Sequence, residues 1–184
     1  MSIRPSDGFG TRLAKYRKMA GLSARELSDK LHGEVSRGVI ANIESGRKTD
    51  VTIDQLFAFA WALDIPPVAL ALPLEEPERF VALTKSETGF EAERSRYLVR
   101  WFLGQPDSSP HGAPIGPGRG YANALIRTLE TYGWMQALVA RREDQFEDGT
   151  GDQRAVEDAR AELAKARREL IDLGAELRTF AIDE

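Results

Sequence analysis

Residues 21–48 read GLSARELSDKLHGEVSRGVIANIESGRK, and their punctuation decides the fold. Gly21 suits the left-handed position that ends a helix. Ser23-Ala24-Arg25-Glu26 forms a capping box: the serine hydroxyl accepts from the Glu26 amide, and the Glu26 carboxylate accepts from the Ser23 amide. Leu27 and Leu31 then share one face of a short helix. His32-Gly33-Glu34-Val35 makes a turn, with His32 a turn residue and not a ligand. Ser36 caps a third helix through Ser45, and Gly46 ends it. Ile40 and Ile43 face inward by i, i+3 spacing, with Val35 at the entry. That leaves Arg37, Gly38, Val39 and Asn42 on the outer side of the first turns. Arg47 and Lys48 follow at once. A helix across the backbone, then a second offering its leading turns to a major groove, is the arrangement needed to read duplex DNA.

Working outward, residues 9–20 predict a first helix, with Asp7 as N-cap and Leu13, Tyr16 and Arg17 turned toward later elements. Thr52-Ile53-Asp54-Gln55 is a second capping box. It opens a fourth helix through Leu56, Phe57, Phe59, Ala60 and Leu63. Pro66-Pro67 starts a fifth, short helix to about Leu72. Tyr16, Phe57, Phe59 and Trp61 are expected in or near the core, not as stacking platforms for single strands.

The strings GLSARELSDKL, VSRGVIANIESGRK and TIDQLFAFAWALDI together resemble the DNA-binding domain of lambda-repressor-like, XRE-type transcriptional regulators. The likeness spans about residues 8–72. It implies that Arg37 and Asn42 face base edges, since arginine suits guanine and asparagine adenine. Gly38 would permit close approach, and Val39 would meet a thymine methyl. Ser36, Arg47 and Lys48 would hold phosphates, with Arg25 and Thr49 assisting. The family's pairing of a helix-one arginine with the glutamate ending helix three falls on Arg17 and Glu44, a structural ion pair. Two departures stand out. The turn LHGEVS is about two residues longer than the family's usual L-G-V-S. Ala24 stands where a phosphate-holding glutamine is common. Such domains often serve phages and other mobile elements, so the resemblance also suggests an immunity-type repressor.

The rest of the chain divides by composition. Residues 73–103 read as a connector and one helix over 86–103, with Phe90, Tyr97, Leu98, Trp101 and Phe102 on an apolar side. Residues 104–120, GQPDSSPHGAPIGPGRG, are too rich in proline and glycine to hold a helix and read as a linker. Residues 121–184 predict an antiparallel, coiled-coil-like hairpin. In its second arm Val156, Ala159, Leu163, Ala166, Leu170, Leu173, Leu177 and Phe180 step by 3 and 4 in turn, an unbroken heptad seam. In its first arm Leu125, Leu129, Tyr132, Val139 and Phe146 follow a similar frame, interrupted by Gln136 and Glu143. Each arm should run about 35–40 Å. The expected class is all-α: a five-helix reader over 1–72, a helix, a linker and a helical hairpin. Leu163, Leu170, Leu173, Leu177 and Phe180 are the residues expected to join two copies into a homodimer on half-sites about 34 Å apart. Internal packing of the hairpin, or a partner protein, would cover the same seam.

Composition narrows the function classes. The chain has no cysteine and 2 histidines, so thiolate nucleophiles, disulfides, iron–sulfur clusters and Cys- or His-rich metal sites are excluded. No cofactor is expected. Residues 1–72 carry 10 Lys/Arg against 8 Asp/Glu, and the remainder 15 against 21. An acidic whole argues against indiscriminate coating of nucleic acid. No apolar run reaches the roughly 18 residues of a spanning helix, and no secretory h-region opens the chain, so a cytoplasmic protein is expected. Residues 73–184 show neither the strands nor the serine–lysine setting of a self-cleaving domain, and no hydrolase or P-loop motif is present; no enzyme is expected. The reading is a sequence-specific, double-stranded-DNA-binding regulator, more naturally a repressor. The alternative is a protein-interaction module, an antitoxin or adaptor, whose C-terminal helices grip a partner.

Overall fold

A computed structural model describes residues 2–86, 89–105 and 116–175. The chain divides into two compact units. The first spans Met1–Phe102 and the second begins at Leu103. The first unit contains α1 (Phe9–Met19), α2 (Ala24–Lys30), α3 (Arg37–Glu44), α4 (Ile53–Leu63), α5 (Pro67–Ala71), a hairpin of β1 (Phe80–Ser86) and β2 (Gly89–Arg94), and α6 (Ser95–Phe102). The second contains α7 (Pro117–Glu147) and α8 (Gln153–Asp172). The fold is mostly helical.

Capping sets the helix boundaries of the first unit. The Ser23–Glu26 box is formed in both directions at the start of α2. The Thr52–Gln55 box does the same for α4. The Ser36 hydroxyl accepts from the Val39 amide to open α3. Gly21 and Gly46 end α1 and α3 with φ near +70°, which glycine adopts at little cost. Asp64 ends α4 in the same region, φ +54°. Gly8, not Asp7, occupies the N-cap of α1. The Asp7 carboxylate instead accepts from the Arg4 amide at 2.8 Å, which turns its side chain away from the helix.

The five helices close on one core. Leu13, Leu27, Ile40, Phe59 and Leu70 are fully buried, with Phe9, Leu31, Val35, Ile43 and Leu63 around them. Each such side chain stabilises by about 1.5–3 kcal/mol. Tyr16 packs at the margin and Phe59 at the centre. Phe57 and Trp61 depart from the expected core placement: they are 56% and 89% exposed. Their positions on α4 step by four from Ile53, on the side away from Phe59, Ala60 and Leu63. At Gly10, α1 lies against the last turn of α3 so closely that a Cβ there would sit 1.9 Å from the Ile43 carbonyl oxygen.

The expected single helix over residues 86–103 is replaced by β1, β2 and the shorter α6. The strands pair antiparallel from Phe80–Arg94 to Ser86–Gly89, with a bulge between Ala82 and Thr84. The bulge breaks the alternation that would announce a strand, and the Glu/Ala/Arg content of β2 imitates a helix. Ile3 adds a short parallel bridge on the other edge of β1. Its amide donates to the Phe80 carbonyl at 3.0 Å, and its carbonyl accepts from Ala82 at 2.7 Å. A second small core of Val68, Leu72, Val81 and Leu98, with Ile3, Ala71 and Val99 packed on it, joins hairpin and α6 to α5.

In the second unit α7 runs for 31 residues and α8 for 20, about 46 and 30 Å, so the arms are unequal. α7 begins at Pro117, inside the stretch read as linker; residues 106–115 of that stretch lie outside the described residues. Proline is favourable at a first helical position. Gly118 and Gly120 weaken the turn by about 1 kcal/mol each, while buried Asn123 and the approach of Gly104 to Ile126 anchor the turn that follows. The arms are antiparallel. Tyr121 donates its hydroxyl to the Leu173 carbonyl at 3.0 Å, and Arg160 donates to Glu143 at 2.9 and 2.5 Å.

Candidate nucleic-acid interface

The candidate surface is built on α3. Ile40 and Ile43 anchor its inner side in the core. Arg37, Gly38 and Asn42 are exposed along its outer side. A Cβ at Gly38 would meet nothing nearer than the Ser36 hydroxyl at 3.9 Å, so neither packing nor backbone conformation calls for glycine there. Val39 is only half-exposed and packs against the core; the outward placement read from spacing holds for part of its side chain. One residue before Ile40 on a helix, it lies about 100° around the axis, at the edge of the buried face.

The enlarged turn before α3 is absorbed locally. His32 and Gly33 take successive left-handed conformations, φ +52° and +79°. The Gly33 amide donates to Ser28 and the Glu34 amide to Leu31. Val35 still enters the core, 3% exposed. The two extra residues therefore bulge outward from the turn.

The cationic lip lies beyond Gly46. Arg47 and Thr49 are exposed. Lys48 is half-buried, its amide donating to the Asn42 carbonyl and its ammonium paired with Asp50 at 3.3 Å. The Asp50 carboxyl is held below its ordinary value, first by its own backbone amide and then by Lys48. Arg25 is exposed on the first turn of α2, one residue from half-buried Ala24.

Behind this surface Arg17 makes a two-toothed contact with Glu44. Its Nε and Nη2 donate at 2.6 and 2.8 Å, and its Nη1 donates to the Leu22 carbonyl at 2.6 Å. The contact ties α1 to the end of α3. Arg12 gave no motif in the sequence. It is buried and donates to the carbonyls of Leu70, Asp7, Pro5 and Ala71 at 2.7, 3.1, 2.7 and 3.3 Å. Burial lowers the pKa of its guanidinium. Its only sequence signal was a register beside Phe9, Leu13 and Tyr16, where a charged residue needs buried acceptors.

The C-terminal seam is used within one chain. Val156, Ala159, Ala166 and Leu170 are buried against α7, and Leu163 and Leu173 are half-buried. Leu177 and Phe180 lie outside the described residues. On α7, Tyr121, Leu129, Trp134 and Phe146 are exposed. Among the described residues no cluster of His, Cys, Asp and Glu suits a metal ion, and no helix is long and apolar enough to cross a membrane.

Fold and surface together define a cored helical bundle that presents one short, capped helix with its leading turns bare. Residues 13–70 match the helix-turn-helix family, and the chain carries there a helix-turn-helix domain of the lambda-repressor-like, XRE type. The match covers under a third of the chain. Such a domain implies DNA binding and, with it, transcriptional regulation. Nothing in the match points to a phage or mobile-element origin. No curated protein and no solved structure matches the chain.

Proposed function

We propose that this protein is a sequence-specific, double-stranded-DNA-binding regulator that represses transcription in the cytoplasm by occupying its site. The observation that carries the reading is the bare first half of α3, where Gly38 is demanded by nothing inside the fold. Arg37 reads guanine through two acceptors and Asn42 reads adenine. The outer part of Val39 meets a thymine methyl. Ser36, Arg47, Lys48, Arg25 and Thr49 hold phosphates and set the register. For Lys48 this means exchanging Asp50 for DNA. Repression needs occupancy alone, so it asks little of the rest of the chain. Two copies on paired half-sites belong to this proposal. The seam residues Leu163, Leu170 and Leu173 face α7, so a dimer through the C-terminal helices requires the hairpin to open or to offer its outer side.

Selection of bound sequences from random duplex DNA tests the reading, with the mass of the complex measured in the same buffer. A defined motif is expected. Arg37→Ala should weaken specific binding by about 1–3 kcal/mol and relax one base position. Unenriched duplexes, or the same motif and affinity for the variant, would overturn it. A second reading, an adaptor or antitoxin gripping a partner protein, is favoured by exposed Leu129 and Trp134 on α7. It predicts that regulation in cells survives loss of Arg37.

A further inference from the structure

We propose that a cavity between the amino-terminal turn, the start of α4 and β1 binds a small amphiphilic carboxylate, an apolar body of medium length with one anionic head. The cavity holds about 330 Å³, within the range that takes a small organic molecule. At the roughly 30 Å³ that a water occupies, it has room for about ten heavy atoms. Phe9, Val51, Ile53, Leu56, Ala82 and Leu83 make its apolar walls. Two of these, Ile53 and Leu83, remain 72% and 41% exposed. Apolar surface therefore stays in water until something fills the space, and covering it favours binding.

The polar part of the lining selects the head. Arg4, Ser6 and Thr52 are the polar residues among the described residues that line the cavity, and Arg4 is the one ionised group there. All three side chains carry hydrogen-bond donors, and none is a carboxylate. The Thr52 hydroxyl accepts from the Gln55 amide at 3.1 Å, which leaves its proton to donate. Acceptors of the same lining are already engaged: the Pro5 and Ala71 carbonyls accept from Arg12 at 2.7 and 3.3 Å. A wall rich in donors and poor in acceptors favours a head that only accepts. A carboxylate does so, and its charge-assisted bonds to a guanidinium are the strong ones. An ammonium head would meet no anion in this lining.

The position of the cavity gives its occupancy a consequence. Val51 lines it and also lines the neighbouring cleft that contains Gly46, Lys48 and Thr49. Val51 and Thr52 are thus a wall for the ligand and stand just past the cationic lip. A ligand seated there fixes the segment between lip and α4, so it alters how Lys48 and Thr49 meet a phosphate. This consequence rests on the DNA-reading proposal; the binding of the carboxylate does not.

Titration of the full chain with octanoate, followed by amide chemical shifts, tests the site directly. Saturable binding with a Kd of roughly 0.1–1 mM is expected, with the largest shifts at Val51, Thr52, Ala82 and Leu83. Octanol, which keeps the body and lacks the charge, should bind about tenfold more weakly. Arg4→Gln should bring octanoate down to the level of octanol. Leu83→Asp, which adds a like charge on an exposed side chain, should abolish octanoate binding; circular dichroism confirms that both variants fold. Across hexanoate, octanoate, decanoate and dodecanoate, affinity should rise by roughly fourfold per methylene and then level off as the cavity fills. Absence of saturable binding, as when a second copy or another segment of the chain occupies the cavity, overturns the proposal. So do octanol binding as tight as octanoate, shifts confined to other elements, indifference to both variants, or affinity that keeps rising with chain length. With a duplex from the selection, saturating octanoate should change DNA affinity at least about fivefold in the wild type and not in Leu83→Asp. Unchanged DNA affinity with octanoate bound overturns the consequence for DNA alone. If no duplex is selected, the DNA reading and that consequence fall together, while the carboxylate site stands or falls on the titration.

Discussion

Gly38 is the residue at which the demands of fold and function part. Glycine inside a helix costs about 0.5–1 kcal/mol relative to alanine, and here no close neighbour or positive φ requires it. Gly38→Ala should therefore leave the domain equally stable or up to about 1 kcal/mol more stable. If the backbone of α3 approaches a base or a phosphate, the added methyl intrudes and DNA affinity falls. Urea unfolding and a binding titration on the same preparation check both halves. Improved stability with undiminished binding would show that DNA does not approach at Gly38. Lys48 shows the opposite tension. Its pairing with Asp50 is an exposed contact of small worth in water, readily exchanged for a phosphate.

At the scale of elements, the position of α3 is set from behind. Ile40 and Ile43 hold it from within, Arg17 grips Glu44, and α1 crosses its last turn at Gly10. A methyl at residue 10 would lie 1.9 Å from the Ile43 oxygen, far inside any contact distance, so α1 and α3 must separate. Gly10→Ala should destabilise by about 1–3 kcal/mol or more. It should also weaken the proposed DNA binding from a distance, because it displaces α3. Chemical denaturation and a titration under folded conditions measure the two effects. The caps of α2, α3 and α4 and the breaks between the helices were legible because they are local: a serine three residues before a glutamate, a glycine after an apolar run. The crossing at Gly10 was not, because it depends on which helix arrives there. The β1–β2 hairpin was hidden by its bulge and by helix-forming residues in β2. The exposure of Phe57 and Trp61 was hidden by composition: α4 is apolar nearly all round, so spacing alone does not say which side is buried. The exposed side of α3 was thus readable as a pattern, while the side chains that brace it emerged only with tertiary structure.

For the whole molecule, the balance of charge limits how DNA is approached. Residues 1–72 carry a small positive excess within a chain of net charge -4, so DNA binding as proposed here rests on a few placed cations. Removing one of them, as in Arg47→Ala, should lower affinity on every sequence and make the salt dependence shallower by roughly one unit. Unchanged slopes would remove Arg47 from the phosphate contacts. The first unit is itself held by a charge placed inside. Arg12 fastens the turn before α1 to the end of α5 through four carbonyls. A methionine there fills similar space and leaves those oxygens unpaired, so Arg12→Met should cost roughly 2–4 kcal/mol. The same guanidinium couples the two ends of the reader in time as well as in space. Fraying of the amino-terminal turn breaks the bonds that hold the last helix, and release of that helix loosens the turn. Amide protons in the two segments should therefore exchange with deuterium at a shared rate, opening as one cooperative patch.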